Sequence, residues 1–195
     1  MRICKTRREK PSASMKEEIR DTFIVQMSRP ENEGSITMEK LASIMGIAKG
    51  TLYLYYRTKN ELVRDALETV SEAKERRFRN EIRLDSPAPE QLMAFARIMM
   101  EDFAKNRWLR KEFLKNVPFP PTAGKSEKKM EILSRILEKG IREGSFRNVP
   151  VKDTALLIRC TLIGHFRHLL RTGEKIDIPR FLALFQDFVL RALKS

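Results

Sequence analysis

Residues 36–62 read Ile36-Thr37-Met38-Glu39-Lys40-Leu41-Ala42-Ser43-Ile44-Met45-Gly46-Ile47-Ala48-Lys49-Gly50-Thr51-Leu52-Tyr53-Leu54-Tyr55-Tyr56-Arg57-Thr58-Lys59-Asn60-Glu61-Leu62. Met38, Leu41, Ile44 and Met45 recur at three- and four-residue spacing, which predicts a short helix behind Thr37. Thr37 is a good N-cap; Lys40 stands where a capping-box Glu would, so the cap rests on Thr37 alone. Gly46 ends the helix and tolerates the positive φ of a tight turn. A second short helix, 48–57, carries Leu52 and Tyr56 four apart. Two short helices joined through a glycine turn form a helix-turn-helix. In such a unit the first helix crosses a phosphate backbone, and the second sets its N-terminal residues in the major groove. Leu41, Ile47 and Leu52 would lock the pair together, with Tyr56 in the core on the face of Leu52. That leaves Lys49, Gly50, Thr51, Tyr53, Leu54 and Tyr55 on the outer side.

The flanking sequence is helical as well. Ile19, Phe23, Ile24 and Met27 form one stripe over 15–28, and residues 29–36 form a polar loop with Pro30 and Gly34 as breakers. A long helix starts at Thr58 or Lys59 and runs to about Leu84 through Leu62, Val63, Ala66, Leu67 and Val70. Asp85-Ser86-Pro87-Ala88-Pro89 stops it and starts the next. Further helices are expected at 89–105, 107–116, 126–143, 151–172 and 178–193, with a Pro-rich loop at 117–125 and Gly173 as a C′ residue. No alternating strand of convincing length and no internal repeat occur. The predicted class is all-α with about nine helices: a basic arm at 1–14, a helix-turn-helix domain at 15–60, and a helical domain at 61–195.

Composition narrows the partners. The 195 residues contain 39 Lys+Arg against 26 Asp+Glu, a net charge of +13. Such a balance points to a polyanion, either nucleic acid or an anionic membrane surface. Residues 1–64 carry 13 basic and 8 acidic side chains and residues 65–195 carry 26 and 18, so charge alone does not locate the binding face. Arg2, Lys5, Arg7, Arg8 and Lys10 could track phosphates or the minor groove, or could form a solubilising tail. No apolar segment follows them, so they are not a secretory signal. No run reaches the roughly 18–20 apolar residues that cross a bilayer. The expected location is cytoplasmic, with no membrane partner. Cys4 and Cys160 exclude a multi-disulfide scaffold or a cysteine-rich zinc module, and two histidines leave little for a metal site. No metal and no cofactor are expected. The sequence offers no nucleophile elbow, phosphate loop, zinc motif or convincing carboxylate pair, which argues against an enzyme.

The stretch from Ile36 to Leu62 resembles the TetR family of bacterial transcriptional regulators. The resemblance rests on the Thr-led helix, the glycine turn, Lys49-Gly50-Thr51-Leu52-Tyr53 with Tyr55 and Tyr56, and Lys59-Asn60-Glu61-Leu62. It covers about 60 residues strongly; the later helices agree in number and order only. Departures are Met45 where Ala is usual, Ala48 for a common Ser, and a longer loop at 29–36. The resemblance implies an N-terminal DNA-binding domain and a C-terminal ligand-binding and dimerisation domain. It implies a homodimer on a palindromic double-stranded operator, most often a repressor released by a small molecule. It assigns Thr37 to a phosphate, with Met38 beside it. Lys49, Gly50 and Thr51 open the recognition helix, where Gly50 lets the DNA backbone approach. Tyr53 and Tyr55 reach phosphates, Leu54 meets a thymine methyl, and Lys59 holds a phosphate.

The helical domain carries three further expectations. Phe95, Met99, Met100, Phe103, Trp108, Phe113 and Phe166 are mostly core, but Met and aromatics also line adaptable pockets, and the resemblance implies an effector pocket among them. Arg159 falls inside the stripe of Ala155, Leu162, Phe166 and Leu170, so it needs a carboxylate in the fold, a carboxylate across a dimer interface, or an anionic ligand. The expected effector is therefore apolar or anionic. The last two helices are the most apolar pair, and the resemblance makes them a four-helix bundle in the dimer. The expected interface residues are Leu157, Thr161, Gly164, His168, Phe181, Phe185 and Phe188. The helix at about 59–84 would act as a lever between pocket and DNA-binding unit. The alternatives are a helical protein–protein adaptor, or a regulator without small-molecule control.

Overall fold

The computed structural model describes residues 12–29, 36–106, 111 and 123–194. Residues 1–11, 30–35, most of the expected helix 107–116, with Trp108 and Phe113, and most of the expected loop 117–125 lie outside the described residues. The helices are α1 (Ala13–Met27), α2 (Met38–Met45), α3 (Lys49–Tyr55), α4 (Lys59–Glu81), α5 (Ala88–Lys105), α6 (Ala123–Arg142), α7 (Val151–Thr172) and α8 (Ile178–Phe185). A π-helical turn, Gln186–Leu190, and a last helical turn, Arg191–Leu193, follow α8. Among the described residues there is no strand, only an isolated bridge between Phe146 and Lys194.

The chain forms two compact units, divided between Thr69 and Val70. The first is built on α1, α2, α3 and the start of α4. Its core is Ile19, Phe23, Met27, Ile36, Leu41, Leu52, Tyr56, Leu62 and Ala66, each at most 2% exposed. Ser12 caps α1 by accepting the Met15 N–H at 3.2 Å. Thr58 accepts the Glu61 N–H at 3.1 Å, while the Glu61 carboxylate accepts the Arg57 N–H at 2.9 Å. This reciprocal pair, a variant of the capping box, fixes where α4 begins.

The second unit holds one apolar core drawn from the end of α4, α5, α6, α7 and the C-terminal helical segment. Phe78 stacks on Phe95 at 4.9 Å, and Phe103 on Phe166 at 4.4 Å. Inside it lies a buried ion pair that composition did not flag. Lys74 Nζ meets Asp102 Oδ2 at 2.7 Å, with side chains only 2% and 7% exposed. The Asn106 amide donates to the same carboxylate at 3.2 Å and to the Asp102 carbonyl at 3.0 Å. Nearer the surface, Arg77 bridges Glu81 and Glu101, which draws the Glu81 carboxyl below its usual range.

The expected final helix, 178–193, departs from the straight form. On an ideal straight α-helix Leu184, Phe185 and Phe188 would share a face with Phe181. The π turn holds more residues per turn than an α-helix, so the inward row becomes Phe181, Phe185, Val189 and Leu193. Phe188, within the π turn, faces outward and is 68% exposed; Leu184, which precedes the turn in α8, is 59% exposed.

Candidate nucleic-acid interface

The helix-turn-helix is built by local rules. Thr37 adopts extended backbone and its Oγ1 accepts the Lys40 N–H at 3.1 Å, starting α2. Gly46 has φ 67° and ψ 24°. Its N–H bonds the Ser43 carbonyl at 3.2 Å, and the Ile47 N–H bonds the Ala42 carbonyl at 3.0 Å. Those two bonds define a Schellman motif, whose left-handed residue is nearly always glycine. Leu41 and Leu52, both fully buried, hold α2 against α3. Ala48 gives α3 no side-chain cap.

This packing puts Gly50, Tyr53 and Leu54 on the outside, with Tyr53 37% and Leu54 55% exposed. Thr51, Tyr55 and Lys59 are half-buried. Lys49 is exposed and paired with Glu39 of α2, its ammonium 5.7 Å from the Tyr53 ring centre. The Lys49 hydrogen bond holds the Glu39 carboxyl below its usual range, and Glu39 raises the Lys49 ammonium in turn. The Tyr55 hydroxyl accepts the Ser12 N–H at 3.2 Å, so the start of α1 is tied to the end of α3. Tyr56 is wholly buried and donates to Asp65 Oδ2 at 2.5 Å. Burial and that carboxylate keep its phenol protonated.

Met38 does not belong to the outer set. It is 5% exposed, because the first residue of α2 turns inward beside Leu41 and Ala42. Its side chain packs in the core.

In the second unit, Phe95, Met100, Phe103 and Phe166 are buried in the core and Met99 packs against it. Arg159 departs from expectation. The inward row of α7 is Ala155, Ile158, Leu162, Phe166 and Leu169. Arg159 flanks that row and is only half-buried. Its long stem lets the guanidinium reach toward water, so the core imposes no partner. Among the expected interface residues, Leu157, Thr161, Gly164, His168 and Phe188 are exposed. Phe181 and Phe185 are 7% and 3% exposed, buried in the core of their own chain. Phe181 also stacks on His165 at 4.8 Å, and His168 contacts Glu174 at 3.2 Å.

No protein-family model and no curated protein matches the sequence. Solved structures do. The ketosteroid transcriptional regulator KstR2 of Mycobacterium tuberculosis is 19% identical, with a TM-score of 0.66 over 97% of this chain and 100% of that one. A candidate transcriptional regulator from Saccharomonospora viridis, solved in complex with choline, is 14% identical with a TM-score of 0.79, over 94% of this chain and 100% of that one. The TetR-family regulator PfmR of Thermus thermophilus is 20% identical with a TM-score of 0.68, over 91% and 99%. At these identities the likeness concerns the backbone arrangement. The chain has the TetR-regulator fold along nearly its whole length.

Proposed function

We propose that the chain is a sequence-specific DNA-binding transcriptional regulator. It acts in the cytoplasm as a homodimer on a palindromic operator, most often as a repressor, and an apolar or anionic small molecule releases it. The observation that carries this reading is the glycine-turned helix pair within the TetR fold, with Lys49, Gly50, Tyr53 and Leu54 on its outer side. Thr37, Tyr53, Tyr55 and Lys59 serve phosphates. Lys49, Gly50 and Thr51 enter the groove first, and Leu54 meets a thymine methyl. The DNA-binding domain comprises residues 15–60, and 61–195 is the regulatory and dimerisation domain.

The exposed apolar side chains of α7 and the C-terminal segment support self-association. Leu156, Leu157, Leu184 and Phe188 are each at least 47% exposed. Phe188→Glu should shift the dimer toward monomer in sedimentation. The effector lies among residues 89–170, against the Phe95, Met99 and Phe103 region. By linkage, whatever it costs DNA affinity, DNA costs effector affinity.

The test is fluorescence anisotropy on duplex DNA across a salt series. Lys59→Ala should weaken binding to all sequences and flatten the salt slope by about 0.9, one phosphate contact, and Tyr53→Phe should weaken binding with no change of slope, since the hydroxyl it removes is neutral. Unchanged affinity and slope in both variants would overturn the assignment of this face.

A further inference from the structure

The recognition helix carries a single cation. Along α3 the sequence is Lys49-Gly50-Thr51-Leu52-Tyr53-Leu54-Tyr55, and Lys49 is its only charged residue. Around it the charge is nearly balanced, with eight basic and seven acidic side chains over residues 12–64. Protein–DNA affinity draws largely on lysines and arginines that reach acceptors on the duplex. What this one ammonium is bound to therefore sets how much α3 contributes.

In the free protein the ammonium is already engaged. Lys49 Nζ is paired with Glu39 Oε1, on the second residue of α2. It also lies 5.7 Å from the centre of the Tyr53 ring, one turn further along α3. Neither partner is sheltered: the Lys49 and Glu39 side chains are 56% and 54% exposed. The pair thus stands on the outer side of the helix pair, with Gly50, Tyr53 and Leu54. An exposed ion pair is worth a factor of about two to five in equilibrium. A pair that weak, open to solvent, is one that a duplex can take apart.

We infer that Glu39 is a positioning residue that competes with DNA for Lys49, so that binding exchanges one ion pair for another. This rests on the DNA-binding reading above. Glu39 lowers affinity for every duplex by one factor and leaves the choice of bases to α3. The Tyr53 ring attracts the cation whether or not Glu39 holds it, which keeps the ammonium on the outer side during the exchange. A link to protons follows. Lys49 first, then the Glu39 N–H and the Thr37 hydroxyl, hold the Glu39 carboxyl below its usual range in the free protein. When DNA takes Lys49, the chief of these is lost and the carboxylate stands beside phosphates. The complex then binds a proton more tightly than the free protein, so affinity rises as pH falls through the carboxylate range.

The experiment measures duplex binding by anisotropy at low salt for the wild type, Glu39→Gln, Lys49→Met and the double variant, with circular dichroism to check each fold. Glu17→Gln, on an exposed position of α1, is the control for net charge. Glu39→Gln should bind about two- to five-fold more tightly than Glu17→Gln. The gain from Glu39→Gln should shrink in the Lys49→Met background, where only the repulsion between carboxylate and phosphates remains to be relieved. From about pH 6.5 to 4.5 the advantage of Glu39→Gln over the wild type should narrow as Glu39 takes up its proton. A gain no larger than that of Glu17→Gln, a gain undiminished in the Lys49→Met background, or an advantage flat over that pH range overturns the competition and leaves the DNA reading in place. A wild type that binds no duplex at low salt removes both.

Discussion

Gly46 and Gly50 stand four residues apart and should respond oppositely to the same substitution. Neither position is crowded: a Cβ built at either meets nothing within 4 Å. The contrast is therefore one of backbone. Gly46 sits at φ 67°, where an L-residue costs about 1–2 kcal/mol. Alanine recovers about 0.4–1 kcal/mol by restricting the unfolded chain. The net loss for Gly46→Ala is about 0.5–1.5 kcal/mol, and Gly46→Asn should lose less because Asn tolerates the left-handed region. Gly50 lies inside α3, where glycine costs about 0.8–1 kcal/mol relative to alanine. Gly50→Ala should stabilise the unit by about that amount and yet weaken DNA binding, because the methyl would stand between α3 and the duplex. Native-state hydrogen exchange of amides in α2 and α3 reads local stability, and anisotropy reads DNA affinity. If Gly46→Ala is as stabilising as Gly50→Ala, the turn geometry is wrong. If Gly50→Ala leaves DNA affinity unchanged, the backbone of α3 does not approach the duplex there.

Three other perturbations have defined outcomes. Glu39→Gln removes the carboxylate that holds Lys49, so DNA affinity should rise at low salt while the sequence preference stays the same; a gel-shift titration checks this. Lys74→Met strands Asp102 in the core and should cost about 3–5 kcal/mol, whereas Lys74→Met with Asp102→Leu should recover most of it, as urea denaturation would report. Burial, with His168 as the lesser cause, holds the His165 imidazole below its usual 6.5, and Glu174 opposes them. The unfolded chain then binds the proton more readily, so stability falls as pH drops from about 7.5 to 5.5, and falls less in His165→Gln.

The helix-turn-helix was legible in the sequence because its determinants are local. A threonine cap, a glycine at the left-handed position and two leucines at the right spacing act within twenty residues. The expected bounds of α7, 151–172, match for the same reason, with Gly173 at φ 74° closing it. What the sequence hid depends on tertiary packing. Nothing local marks the π turn after Phe185, so Phe188 was grouped with Phe181 and Phe185. Phe181 and Phe185 were assigned outward, although their own chain already covers them. Arg159 looked buried on an ideal wheel, where one position of rotation separates a core site from its flank. Nothing in the sequence singles out Lys74 with Asp102; only the approach of α5 to α4 makes them a buried pair. The start of α4 was left between Thr58 and Lys59, although Thr58 with Glu61 three residues on is a capping signal that could have fixed it.

The central claim is that α3 reads DNA as one half of a twofold dimer. Selection from a random duplex library with the full chain, repeated with Thr51→Ala, tests it most directly. The account predicts an inverted repeat whose half-sites lie about 34–36 Å apart or a multiple of that, and a Thr51→Ala chain whose preference relaxes at the same base positions in both halves. Enrichment of no sequence, or a motif that Thr51→Ala leaves untouched, would contradict it.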